Sequence, residues 1–266
     1  MTDVSQCTVI VLAAQRTGVV NPLAQKYGVS HKCIVPICGR PLIVHVMDVL
    51  ASLPQVKKVR IAVEPEVHDE LGTLLAPYRG NGLDFEFIAS SENIVESVVL
   101  ASEGQVAPFI VTTADNVLLS PDQFRITLAA LETHDAAMNL AAKTSVQAIH
   151  PEAQRRFYEF RDEGYANCNL YGIAGPHALK AAEVFREGGQ FMNNPKRLVT
   201  AFGLFNIILF RLKVLTLAQA AKRLSRKFGL KAAMLVPADG AQAVDVDNER
   251  TYEVAEMVLK QRSGGT

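Results

Sequence analysis

The chain has 266 residues, of which 49% are hydrophobic and 20% are charged, as expected for a globular protein with a substantial core. Its 27 basic and 27 acidic residues cancel, which removes any global electrostatic argument for nucleic-acid binding. The N-terminus lacks the basic start of a signal peptide and the next apolar run is too short to cross a bilayer, so we expect a cytoplasmic protein. The four cysteines form no C-x-x-C pair, and we expect reduced, mostly buried thiols.

The first predicted element is a short strand over residues 8–12 that opens into a loop. Its unbroken apolar run, rich in β-branched residues, predicts a strand buried on both faces of a parallel sheet. Ligands of open α/β sheets bind beyond the carboxyl ends of the strands, so the loop 13–18 is the first candidate site. We expect a long irregular loop over residues 19–34, and loops of that length in compact domains tend to be functional.

Alternating helices and strands follow this loop. The hydrophobic spacing and the breakers predict helix 41–53, strand 59–63, helix 65–75, strand 85–88, helix 94–102 and strand 109–112. The predicted fold class is therefore α/β, a doubly wound, mostly parallel Rossmann-like sheet with helices on both faces.

An aspartate follows the predicted strand 109–112. Asp115, in the sequence Thr-Ala-Asp-Asn, is placed to reach the same crevice as the first loop. On spacing alone, an aspartate at this position could equally cap a turn. Ser120 and Gln123 then have the spacing of a capping box, which predicts a helix beginning after Ser120.

The second half of the chain is predicted with fewer motifs. We expect strands over 136–142, 168–174 and 232–236, helices over 217–228 and 251–261, and a solvated hairpin or lid over 150–164. Residues 198–210 are almost wholly apolar, which indicates a buried helix or, as an alternative, an interfacial membrane segment.

A locally basic segment covers residues 188–238, which contain nine Lys or Arg residues and no Asp or Glu. Six of these cations are expected on or beside the helix 217–228: Arg211, Lys213, Lys222, Arg223, Arg226 and Lys227. They form a solvated helix face, bind an anionic acceptor, or lie against an anionic membrane.

Three stretches together resemble the MobA-like nucleotidyltransferases. Leu12-Ala13-Ala14, a basic loop with Arg16 and Gly18, then Lys32 and Gly39-Arg40-Pro41-Leu42 are similar to the family opening L-A-x-G-x-x-x-R, a lysine, and G-x-P-[LM]. Thr113-Ala114-Asp115 is similar to its T-x-D motif, and Asp245-Val246-Asp247 to its closing D-[IV]-D. Gln15 differs, because the family usually has glycine there.

The resemblance implies a GT-A-like nucleotidyltransferase fold and a set of site residues. It implies that Arg16 and Lys32 neutralise the triphosphate and act in catalysis with Asp115, and that Asp115, Asp247 and Asp245 bind Mg²⁺ or Mn²⁺. The implied nucleotide contacts are Leu12, Ala13, Ala14, Gln15, Gly18, Lys32 and Ser97. Asn167, Asn169 and Tyr171 are expected on the acceptor side, although asparagines beside a strand more often satisfy turns.

We interpret residues 1–266 as one nucleotidyltransferase domain. Its expected parts are a nucleotide-binding half over 1–135, an acceptor side over 136–240, and a metal-site strand with the C-terminal helix over 241–266. The predicted reaction transfers an NMP unit from an NTP to a phosphorylated sugar, alditol, cofactor or lipid head group and releases pyrophosphate. A glycosyltransferase using a nucleotide-sugar donor, or a catalytically silent nucleotide-binding homologue, are the alternatives.

Overall fold

Residues 4–15, 21–91, 93–179 and 204–264 are described in a computed structural model of the protein. Most strands within these ranges belong to one mixed sheet. The strands are β1 (Cys7–Leu12), β2 (Pro36–Ile37), β3 (Arg40–Pro41), β4 (Val56–Val63), β5 (Phe85–Ala89), β6 (Phe109–Thr113), β7 (Ala136–Ala142), β8 (Tyr158–Glu159), β9 (Gly164–Ile173) and β10 (Ala232–Leu235).

The described helices alternate with these strands along most of the chain. They are α1 (Pro22–Tyr27), α2 (Leu42–Ala51), α3 (His68–Gly80), α4 (Ile94–Ser102), α5 (Pro121–Ala130), α6 (Lys143–Ile149), α7 (Leu204–Arg211), α8 (Leu217–Phe228) and α9 (Glu249–Gly264). Short 3₁₀ turns lie at Lys32–Ile34, Pro65–Val67 and Gly240–Ala243. In the described ranges no helix has both the length and the apolar character needed to cross a bilayer.

The main sheet has the strand order β10-β7-β9-β6-β1-β4-β5, with β8 added beside β9. Its pairs are parallel except those that β9 makes, because β9 runs antiparallel to β6, β7 and β8. This mostly parallel α/β sheet confirms the predicted fold class. The strand β9 also extends beyond its neighbour β6. Its residue Leu170 pairs with Thr112 near the carboxyl end of β6, so residues 164–168 project past that end.

The central strand β1 shows why helices cover both faces of the sheet. Val9, Ile10 and Val11 are each fully buried, as the unbroken apolar run predicts. Val9 and Val11 join the core that includes the buried faces of α2, α3 and α5, whereas Ile10 joins a second core with Val98 and Ala101 of α4. Successive side chains of a strand point to opposite faces, so the strand needs apolar residues at every position.

Helices α1 and α6 were not predicted from the sequence. Helix α1 begins inside the predicted loop 19–34, with Asn21 as its N-cap and Pro22 at its first position. The Asn-Pro pair therefore starts a helix instead of breaking the chain. Helix α6 follows β7 directly, and the predicted hairpin is then formed by the short pairing of β8 with β9.

Two other local predictions are wrong in detail. Ser120 caps α5, but its own amide donates to Gln242 Oε1 and not to the Gln123 side chain, so the reciprocal capping box does not form. The strand expected after residue 240 is replaced by the 3₁₀ turn Gly240–Ala243, which packs against α6. A Cβ at Gly240 would lie 2.2 Å from the Ser145 carbonyl carbon, so this contact requires glycine.

The predictions for residues 198–228 are only partly confirmed. Residues 198–203 lie outside the described ranges, and of the described side chains in α7, Ile208 is exposed and Phe210 half-buried, so this helix is not the fully buried one expected. In contrast, α8 has the predicted limits. Thr216 forms a complete capping box with Gln219, and Gly229 ends the helix in the left-handed conformation.

The cysteine prediction is confirmed. All four thiols are free, and those of Cys7, Cys33 and Cys168 are buried, whereas Cys38 is exposed.

Candidate active site

Three carboxylates meet at the carboxyl edge of the sheet. Asp115 follows β6, while Asp245 and Asp247 follow the 3₁₀ turn Gly240–Ala243. One ligand atom from each residue lies within 4.8 Å of the others. The backbone explains this meeting, because the Val246 amide donates to the Asp115 carbonyl oxygen at 3.2 Å and draws the two chain segments together. The predicted proximity of Asp115 and Asp247 is confirmed, and Asp245 belongs to the same cluster.

The ammonium group of Lys32 lies among these carboxylates. Its Nζ donates to Asp115 Oδ2 and to Asp247 Oδ1, the latter at 2.6 Å. The side chains of Lys32 and Asp115 are only 17% and 13% exposed, so water screens this pair weakly. Burial disfavours the charged ammonium, but the carboxylates of Asp115 and Asp247 outweigh that effect and raise the pKa of Lys32 above its ordinary value.

Asp245 is held by an amide from the reversed strand β9. Asn169 Nδ2 donates to Asp245 Oδ2 at 2.9 Å, and Asn169 has a positive φ of 48°. Asn167 in turn donates to Asn169 Oδ1 at 2.7 Å and to the Tyr171 hydroxyl group. Burial, followed by the charges of Asp247 and Asp115, raises the pKa of Asp245 well above its ordinary value. The three residues expected on the acceptor side thus form one chain of hydrogen bonds that ends at the carboxylate cluster.

Two further polar residues fix Asp115, and the sequence alone gave no separate role to either. Thr113 Oγ1 donates to Asp115 Oδ1. Asn116 is buried, and its Nδ2 donates to the carbonyl oxygens of Cys168 and Asn169 at 3.2 and 3.4 Å. The sequence places Thr113 and Asn116 beside Asp115 at a strand end, which could have marked them as site residues. Their hydrogen-bond partners are apparent only from the fold.

The first loop is described as far as Gln15. The Ala13 amide donates to Ala62 of β4, and the Leu12 carbonyl oxygen accepts from Ala114, so the end of β1 is fixed between its neighbours. The Gln15 amide donates to Glu64 Oε1 at 2.8 Å, and its side-chain Nε2 donates to the Ser30 carbonyl oxygen at 3.1 Å. Gln15 therefore attaches the loop to the end of β4 and to the residues before Lys32.

Comparison with known proteins decides the family. Residues 9–162, more than half of the chain, match the model of the MobA-like NTP transferase domain. The chain belongs to this family. Its members are nucleotidyltransferases, and the matched range contains most of β1, together with Lys32 and Asp115. No curated protein matches the sequence significantly.

Solved structures show the same fold at low sequence identity. A hypothetical transferase from Thermus thermophilus has a TM-score of 0.71 at 22% identity, over 93% of this chain and 99% of that one. The 4-diphosphocytidyl-2C-methyl-D-erythritol synthase of Anaerococcus prevotii has a TM-score of 0.60 at 11% identity, over 97% and 100%. A CMP:2-keto-3-deoxy-manno-octonic acid synthetase complexed with CTP has a TM-score of 0.57 at 15% identity, also over 97% and 100%.

Not every nucleotide contact predicted for a MobA-like protein is described by the structure. Arg16 and Gly18 lie outside the described ranges. Ala14 is exposed at the edge of the sheet, as a ligand contact would require. Ser97 of α4 is buried, and its Oγ accepts from the Ser91 amide at 2.9 Å and donates to the Ser91 carbonyl oxygen. Ser97 therefore shapes the loop between β5 and α4, and its contact with a nucleotide stays a prediction.

The donor set of this MobA-like site suits a hard divalent cation. Mg²⁺ and Mn²⁺ prefer carboxylate oxygens, and the cluster offers three residues of that type. A cationic side chain already lies against two of them, which shows that the site attracts positive charge. The residues present thus fit the metal that the family resemblance implies.

Proposed function

We propose that the protein transfers an NMP unit from an NTP to a phosphorylated acceptor and releases pyrophosphate, with Mg²⁺ or Mn²⁺ at Asp115, Asp245 and Asp247. The observation that carries this proposal is the meeting of three carboxylates and Lys32 beside the first loop of a MobA-like domain. Each component suits an attack of one phosphate on another.

The reaction needs charge neutralisation more than covalent help from the protein. An anionic acceptor must approach an anionic triphosphate, so positioning and positive charge lower the barrier. A divalent ion supplies Lewis acidity and charge stabilisation when it is bound. The side chain of Lys32 stays protonated at neutral pH and so provides a positive charge. Asn169 holds Asp245 in place. We assign Arg16 to the triphosphate from the family pattern.

The strand order suggests how the two substrates share the edge of the sheet. The first loop follows β1, which lies between β6 with Asp115 and β4 with Glu64. On the other side of β6 lies β9, which carries Asn167 and Asn169. We therefore place the nucleotide over the half 1–135 and the acceptor over 136–240, so that the metal lies between them.

A pyrophosphate-release assay tests the proposal. The purified protein is incubated with each of the four NTPs and with phosphorylated sugars, alditols, cofactors and lipid head groups, in Mg²⁺ and in EDTA. We expect metal-dependent release with one NTP and one acceptor class, and a loss of roughly 100-fold or more in Asp115→Asn. Asp122→Asn is the matched control, because that carboxylate is exposed on α5 and pairs with Arg125.

Several outcomes would contradict this function. Full activity in Asp115→Asn would remove the metal role. Release of a sugar from a nucleotide-sugar donor, without pyrophosphate, would indicate a glycosyltransferase. NTP binding without turnover on any acceptor would indicate a catalytically silent homologue.

We also propose that the acceptor side rests against an anionic membrane surface. Ile208, Leu212 and Val214 are 46%, 65% and 42% exposed, and the exposed cations Arg211 and Lys213 alternate with them. Exposed apolar side chains among cations suit the interface of an anionic bilayer. The cations of α8 add charge: Lys222, Arg223, Arg226 and Lys227. Each basic residue near such a surface contributes about 1 kcal/mol, which makes binding salt-sensitive.

Flotation with phosphatidylserine-containing and pure phosphatidylcholine vesicles, at low and high salt, tests this surface. We expect binding to the anionic vesicles only, weakened by salt and by Leu212→Ser. Val106→Ser is the matched control, since Val106 is 79% exposed outside this segment. Absence from both vesicle types would refute the membrane contact. Charge reversal at Arg223 and Arg226 that raised only the acceptor KM would assign the cations to a dissolved anion.

A further inference from the structure

The carboxylate cluster is already engaged by groups of the protein itself. Asp115 Oδ2 accepts from Lys32 and Asp115 Oδ1 accepts from Thr113, so both oxygens of this carboxylate have donors. Asp247 Oδ1 accepts from Lys32 at 2.6 Å, and Asp245 Oδ2 accepts from Asn169 at 2.9 Å. A metal ion that used these oxygens would have to replace donors, and Lys32 is the charged one among them.

Lys32 and a divalent cation cannot both occupy the cluster without a cost. The ammonium contacts two of the three carboxylates, whose ligand atoms lie within 4.8 Å of one another. A metal bound there would lie close to the ammonium, in a site that is largely shielded from water on the Lys32 and Asp115 side. Like charges at such a separation repel strongly when little water screens them. The ammonium group must therefore move away when a metal enters.

The displaced ammonium needs a new anionic partner, since an unpaired charge in a shielded site is costly. The proposed substrate supplies one, because a triphosphate brings several negative charges to the loop beside Lys32. Without nucleotide, the carboxylates of Asp115 and Asp247 retain the lysine. In that state, Lys32 thus opposes metal binding to the cluster. When nucleotide is bound, the same side chain pairs with the triphosphate and leaves the cluster to the metal.

We propose that Lys32 is a displaceable internal counter-ion that makes metal binding and nucleotide binding cooperative. It occupies Asp115 and Asp247 in the nucleotide-free protein and moves to the triphosphate when metal and nucleotide enter together. This inference rests on the proposed function only for the identity of the nucleotide. Because coupling between two ligands is reciprocal, the metal should strengthen nucleotide binding by the factor with which the nucleotide strengthens metal binding.

Mn²⁺ titration of the nucleotide-free protein, followed by electron paramagnetic resonance of the free ion, tests the first half. Lys32→Met removes the charge with little change in length, and we expect it to bind Mn²⁺ at least tenfold more tightly than the native protein. Lys32→Arg keeps the charge and should bind Mn²⁺ with the affinity of the native protein. Lys26→Met is the control, because Lys26 pairs with Glu249 outside the cluster.

The second half is tested by repeating the titration with a non-hydrolysable NTP analogue for each base. We expect one analogue to tighten Mn²⁺ binding by tenfold or more in the native protein, and by much less in Lys32→Met. Thermal unfolding in EDTA and in Mn²⁺ guards against a folding defect. Lys32→Met should have the lower midpoint in EDTA, and Mn²⁺ should restore it.

Two results would overturn the inference. One is Mn²⁺ binding to nucleotide-free Lys32→Met that is no tighter than to the native protein, and the other is native affinity that no analogue changes. These readouts do not depend on catalysis. A protein that shows the predicted metal affinities but releases no pyrophosphate would contradict the proposed function and leave the counter-ion role intact. Transfer activity with unchanged metal affinities would do the reverse.

Discussion

The hydrogen bond from Asn169 to Asp245 gives a quantitative prediction for the metal site. Asn169 lies at a positive φ of 48°, where most side chains are strained and glycine is not. Asn169→Gly therefore keeps the backbone conformation accessible and removes the side-chain amide, which donates to Asp245 at 2.9 Å and accepts from Asn167 at 2.7 Å. The substitution separates the role of the side chain from the role of the turn.

The expected size of the effect follows from the charge of the acceptor. A hydrogen bond to a charged group contributes about 1.5 to 3 kcal/mol. Changing a residue that orients a metal ligand typically lowers metal affinity about 10- to 100-fold. Burial and the charges of Asp247 and Asp115 already raise the pKa of Asp245, and loss of the amide donor raises that pKa further. Protons then compete better with the metal, so the loss of affinity should grow as the pH falls.

The measurement is a Mn²⁺ titration with and without NTP analogue, at several pH values. Tyr171→Phe is the matched control, because it removes the hydroxyl partner of Asn167 and leaves the contact between Asn169 and Asp245 in place. We expect a drop of about tenfold or more in Asn169→Gly and little change in Tyr171→Phe. Native affinity in Asn169→Gly, or an equal loss in both variants, would refute the positioning role.

Two substitutions and one chemical modification test other parts of the fold. Gly240→Ala should lower the thermal midpoint by several degrees, because its Cβ would overlap the Ser145 backbone at a cost of about 1–3 kcal/mol, whereas Gly80→Ala has open space and should not. Native iodoacetamide treatment should add one adduct by intact mass, at Cys38, since the other three thiols are buried and burial raises the pKa of each to about 12; more adducts would show an open core. Thr216→Ala should cost about 1 kcal/mol and speed amide exchange in α8, and unchanged exchange would contradict the capping role.

Local sequence signals predicted those elements whose stability depends on their own residues. Strand β1 is specified by its own apolar run, and helix α8 by its own capping box and terminal glycine. Both elements form as expected. The cluster of Asp115, Asp245 and Asp247 was predicted by the family resemblance, although Asp245 and Asp247 follow a 3₁₀ turn and not the strand that was expected.

The failures occurred where a distant partner decides the local structure. The Gln123 side chain donates to Asn139 of strand β7 and takes no part in a capping box. The contacts of Lys32 with Asp115 and Asp247, which lie 83 and 215 residues further along the chain, were likewise not predicted, and its role in binding phosphate stays a prediction. No spacing rule connects residues at such separations, so the charge balance of the site becomes visible only in three dimensions.

The reversed strand β9 has a consequence for how this fold tolerates change. Residues 165–167 lie past the end of β6 and remain paired with β7, so this part of β9 is held in the sheet without β6. Insertions and deletions in the connection before β9 would leave Cys168 and Asn169 in place, and the carbonyl oxygens of these two residues accept from Asn116 beside Asp115. The connection before β9 is thus free to change in length, whereas residues 167–169 must keep their geometry to hold Asp245, and new specificities would arise by changes in that connection.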